Sequence, residues 1–90
     1  MNHTLKIKDR FYNDIAKGEK TFEVRKNDRN YKVGDLIKFV DVNGKDFQNY
    51  ATRFYEITYI LTHEDFEPIP KDYVVFSIKE TKLWLKENGC

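Results

Sequence analysis

Cysteine is almost missing from this chain: among 90 residues there is one, Cys90, at the last position. No intramolecular disulfide can form and no cysteine cluster can hold zinc, so a reducing, cytoplasmic setting is expected. Histidine is nearly as scarce, with only His3 and His63, far apart and without a third ligand type clustered beside them. Neither a metal nor any other cofactor is expected. No apolar run approaches the roughly 18 residues that cross a membrane. The opening Met-Asn-His-Thr-Leu-Lys-Ile-Lys has no hydrophobic stretch of its own, so neither a secretory leader nor a membrane partner is expected. Only two prolines and four glycines punctuate the chain. No linker or low-complexity tract interrupts it, and one domain over 1–90 is the reading.

What is abundant is aromatic. Seven Phe and six Tyr lift the aromatic share to 16%, and each ring buries a large apolar area, enough for a small domain to fold without staples. The net charge of +1 conceals an asymmetry. Residues 1–38 carry ten Lys/Arg against six Asp/Glu, whereas residues 39–90 carry six against nine. The positive half suits an anionic ligand, although the bias is mild.

Periodicity places the elements. Leu5-Lys6-Ile7 alternates and reads as a first strand. Asp9 is positioned to cap a helix through Lys17, with Phe11, Tyr12, Ile15 and Ala16 on its apolar side and Gly18 as the left-handed stop. Lys20 to Lys26 returns to period two, with Phe22 and Val24 on one face and Thr21, Glu23 and Arg25 on the other. Asn27-Asp28-Arg29-Asn30 and Val33-Gly34-Asp35 are turns, Leu36 to Val42 is a strand, and Asn43-Gly44 is a hairpin signal. Tyr50 to Leu61 reads as one long bent strand on which Tyr55 and Tyr59 share a face opposed by Tyr50. His63 to Asp72 is a proline-bearing loop, and Tyr73 to Ile78 is the last strand. Thr81 then caps a short helix, about 81–88, whose Trp84 docks on the barrel or serves self-association. Five to six strands with one early helix make an α+β domain built on a small barrel.

Chemistry concentrates in Gly18-Glu19-Lys20-Thr21-Phe22-Glu23-Val24-Arg25. Glu23 and Arg25 stand two apart on one strand face, with Lys20 at the strand mouth. Such a trio can grip a polar planar ligand, cations on phosphate or carbonyl oxygens and carboxylate on an amino group.

Gly18, Lys20, Glu23 and Arg25 match Gly-x-Lys-x-x-Glu-x-Arg, and in this the chain resembles the ASCH superfamily. His3-Thr4-Leu5-Lys6, Phe11-Tyr12, Asn27-Asp28-Arg29-Asn30-Tyr31-Lys32-Val33-Gly34-Asp35, Ile57-Thr58-Tyr59-Ile60-Leu61 and Asp72-Tyr73-Val74-Val75 extend the similarity over about 3–78. These blocks resemble a short bacterial and phage subfamily of unknown function. Asp72 departs from the usual Gly before Tyr73, and the loop after Leu61 is not Gly-rich. The resemblance implies a PUA-like β-barrel and a charged cleft that binds RNA or a nucleotide-like ligand through Lys20, Glu23, Arg25, Arg29 and Lys6. One branch of the superfamily consists of amidohydrolases of acetylated cytidine whose pattern has Thr where this chain has Glu23. A carboxylate there removes that nucleophile, and Thr21, one residue off, points to the opposite strand face.

Two alternatives come from other classes. One is a hydrolase of a modified nucleoside using Lys20 and Glu23 in the same cleft. The other is a protein-interaction module whose cleft is vestigial. The oligomeric state is left open.

Overall fold

The computed structural model describes residues 1–47 and 53–81. Five strands and one helix follow in the order β1 (Asn2–Lys6), α1 (Asp9–Ala16), β2 (Phe22–Lys26), β3 (Leu36–Val40), β4 (Phe54–Leu61) and β5 (Tyr73–Thr81). All five strands lie in one curled sheet, a half-barrel, ordered β1-β3-β4-β5-β2. Every pairing is antiparallel except β1 with β3. The helix covers the concave side, burying Tyr12 and Ile15 against a core of Leu5, Ile37, Tyr55, Ile57, Phe76 and Ile78.

Local sequence explains most boundaries, with corrections. Asp9, expected as the helix cap, stands in the first helical turn; Lys8 is the N-cap residue and makes no side-chain capping bond. A carboxylate there still suits the positive helix end. Gly18 takes φ +79 and stops the chain as expected. A Cβ at Gly18 would meet nothing within 4 Å, so Gly18→Ala pays only for its backbone conformation. It should cost about 1 kcal/mol, lowering the melting temperature by roughly 4–8 °C in a thermal melt.

The Asn43-Gly44 turn also forms, with Asp41 N–H bonded to Lys45 O. It does not close a tight hairpin, because β3 pairs with β4 only from Lys38↔Phe54 onward. Tyr50 and the helix expected after Thr81, Trp84 included, lie outside the described residues; Thr81 itself ends β5. Tyr55 and Tyr59 do not share a face. A register shift between Ile57 and Tyr59 moves the β4 alternation by one residue, so Tyr55 is buried while Tyr59 is 64% exposed.

A parallel ladder uses alternate residues, and Ile7 N–H bonds Val40 O, with Leu36 N–H on Met1 O. The carbonyls of Thr4 and Lys6 therefore face the open edge of β1. Two guanidinium groups meet them: Arg25 Nη2 donates to Lys6 O at 3.0 Å and Arg29 Nη1 to Thr4 O at 3.1 Å. Side chains thus bridge the gap between the two edge strands, β1 and β2, where no backbone ladder runs.

Candidate functional site

Register decides which way β2 faces. Glu23 pairs with Phe76 and Arg25 with Val74, both buried, so Glu23 and Arg25 point to the concave side. Phe22 and Val24, 48% and 57% exposed, point outward. The strand is inside out relative to its hydrophobicity.

Glu23, only 5% exposed, is the hub. Its Oε1 accepts from Arg25 Nε at 2.9 Å and Arg25 Nη2 at 2.8 Å, and its Oε2 accepts from Lys20 Nζ. Lys20 Nζ also donates to Phe22 O at 2.7 Å. A buried carboxylate persists only when paired and hydrogen-bonded, and here both oxygens are occupied. The trio carries a net single positive charge.

The trio borders a groove of about 390 Å³ lined by Lys6, Ile7, Lys8, Phe11, Lys20 and the β2 residues Phe22, Glu23, Val24 and Arg25. Aromatic rings stand among the cations. Lys20 Nζ lies 4.9 Å from the Phe22 ring centroid and 5.6 Å from that of Phe11, and the Arg10 guanidinium lies 4.6 Å from that of Phe11. Of the sequence-derived candidates, Lys20, Glu23, Arg25 and Lys6 converge here. Arg29 does not: it borders a smaller hollow with Leu5, Asp28 and Tyr31, and its bond to Thr4 O gives it a clasping role. Thr21 lines a different cavity, on the other side of Lys20.

A model of a domain of unknown function, DUF3850, matches residues 2–78. The chain belongs to this family. No curated protein matches it. The DUF3850 match spans the groove and every strand but the last three residues of β5.

Sequence reasoning missed two groups. His3 Nε2 and Asp35 Oδ2 meet at 2.8 Å, both buried, and Oδ2 also accepts from Lys32 N–H while Oδ1 lies 3.2 Å from the Met1 ammonium. Burial alone would raise the Asp35 carboxyl. The bonds from His3, the Lys32 amide and the terminal ammonium outweigh it and hold the group below its ordinary value. The alternation His3-Leu5-Ile7 was the signal: it places His3 on the core face. Tyr31, which falls between the two expected turns and was given no role of its own, packs its ring 4.8 Å from His3 and 5.0 Å from Phe76. Burial raises its hydroxyl pKa against the opposing pull of Arg25 and Arg29. His63 takes no part; its Nδ1 sits 2.7 Å from Ile69 O.

Proposed function

We propose that this domain binds single-stranded RNA, or a nucleotide-sized piece of it, in the groove between α1 and β2. The observation that carries the reading is the mixture on one rim. Lys8, Lys20 and Arg25 line the same groove as the rings of Phe11 and Phe22, and among the described residues the one carboxylate on its wall, that of Glu23, is buried and already paired. Cations that track phosphates beside rings that stack on bases are the two components of single-strand recognition. The resemblance of Gly18-x-Lys20-x-x-Glu23-x-Arg25 to the ASCH signature, and a curled sheet compatible with a PUA-like barrel, support the same reading, including a bacterial or phage origin and a cytoplasmic setting.

Within this reading Glu23 is a positioning residue. It holds Lys20 and Arg25 toward the groove, while Lys8, Lys6 and the Phe22 ring make contact with the ligand. Fluorescence anisotropy with a labelled 12-nucleotide RNA tests it. Engagement of about three phosphates by a single strand predicts a log–log salt slope near −2. Lys8→Ala should weaken binding by about threefold to tenfold, and Phe22→Ala by about tenfold through lost stacking. Both side chains are solvent-facing, so both variants should fold. Binding by these two variants equal to that of the wild type would end the proposal.

A further inference from the structure

In an antiparallel ladder every second residue turns both backbone groups to one neighbour, and the residues between turn theirs the other way. In β2 the odd-numbered residues face β5. Thr21 O accepts from Ile78 N–H and Asn27 N–H donates to Asp72 O, with an unbroken register between them. The N–H and C=O groups of Phe22, Val24 and Lys26 therefore face the open edge of the sheet. Lys20 Nζ occupies Phe22 O. Among the described residues none bonds the N–H or the C=O of Val24. Val24 nevertheless lines the groove between α1 and β2, although its side chain points to the outer face. What it presents to the groove is its peptide edge, one donor and one acceptor side by side, and an unpaired strand edge is a template for a partner.

We infer that the backbone edge of Val24 reads the Watson–Crick edge of one unpaired base, so that the domain selects strands whose bases are free at that edge. The inference rests on the RNA reading above. Every base carries an acceptor beside a donor there: a ring nitrogen beside an amino group in adenine and cytosine, a carbonyl oxygen beside a ring N–H in guanine and uracil. Val24 N–H meets the acceptor and Val24 C=O the donor. A strand edge can also pair with an extended peptide, but a ladder needs alternate residues in succession. On one side of Val24 the Phe22 carbonyl is already taken. On the other, Lys26 lines the hollow beside Arg29, with Arg25 standing between that hollow and the groove. One free residue suffices for a base and is too little for a strand. The Lys8 and Lys20 ammonium groups on the same groove favour a partner that carries phosphates.

Amide hydrogen exchange on the full chain reads this edge directly. Without ligand the Val24 amide should exchange much faster than those of Glu23 and Arg25, which bond β5, and a saturating uridylate 12-mer should slow it by about tenfold. A 12-mer of N3-methyluridine keeps the phosphates and the stacking faces but blocks the Watson–Crick edge. It should bind about fivefold to a hundredfold more weakly. Val24→Pro deletes the N–H without breaking a ladder bond, and should weaken uridylate binding about threefold to tenfold more than Val24→Ala, which keeps it. Should the proline variant not fold, exchange and the methylated strand decide the matter in the wild type. Equal affinity for the two 12-mers, or a Val24 amide as slow without RNA as with it, would overturn the edge reading while the groove reading stands. Joint protection of the Val24 and Lys26 amides that rises with protein concentration would give the edge to a second copy of the chain and overturn it as well. Uridylate binding that ignores Lys8→Ala and Phe22→Ala, or no uridylate binding at all, would overturn both.

Discussion

Arg25→Ala should lower the melting temperature by roughly 12–24 °C, and the loss should appear before any ligand is added. One guanidinium does two jobs. It donates twice to the buried Glu23 and once to the outward-facing carbonyl of Lys6 on the opposite edge strand. Removing it leaves Glu23 with Lys20 as its cation and opens the seam between β1 and β2. Stripping one partner from a buried pair costs about 3 kcal/mol, and each kcal/mol moves the midpoint of a domain this size by about 4–8 °C. Arg25→Lys should recover only part of the loss, because a single ammonium cannot make the bidentate contact and reach Lys6 O together. A melt for Arg25→Ala within about 3 °C of the wild type would show that the seam does not depend on this residue. Loss of RNA binding in Arg25→Ala is therefore interpretable only in protein shown to be folded.

Asp35→Ala should be about as damaging. The carboxylate gathers His3 Nε2, the Lys32 amide and the Met1 ammonium, and its loss strands the His3 ring in the interior and leaves the Lys32 amide to solvent. A buried donor left unpaired costs roughly 1–3 kcal/mol, so a loss of about 2–3 kcal/mol is expected in urea denaturation. The pH dependence supplies an independent check. Asp35's carboxyl pKa is depressed in the folded state. Its contribution is therefore fully present above the unfolded value, about 3.9, and is lost as pH falls through the lower, folded value. The wild type should lose stability through that acid window more steeply than Asp35→Asn, which cannot titrate there. Parallel acid profiles for the two proteins would remove Asp35 from the account.

The short-range part of this architecture was legible in the residues themselves. The helix ended at Gly18 because a left-handed position favours glycine, and the strand after it was marked by strict alternation. The same alternation put Glu23 and Arg25 on one face, and the structure joins them with Lys20 around one carboxylate. Local periodicity cannot say which face of a strand turns inward. That was decided by the register of β2 against β5, which sets Glu23 opposite Phe76 and leaves Phe22 and Val24 in solvent. Likewise the register shift in β4 turned Tyr59 outward, a consequence of pairing with β5 and not of the local pattern.

The α+β character, the helix stop and the grouping of Lys20, Glu23 and Arg25 follow from local pattern alone. Each follows from steric and periodic constraints that act within a few residues. Tertiary structure alone decided that Arg25 and Arg29 clasp β1, that His3 finds Asp35 across 32 positions, and that Tyr55 is buried beside a second cavity. Those contacts join segments far apart in sequence. They exist because a curled sheet leaves two edge strands facing each other, and the polar groups exposed there must be satisfied by whatever side chains the fold brings within reach.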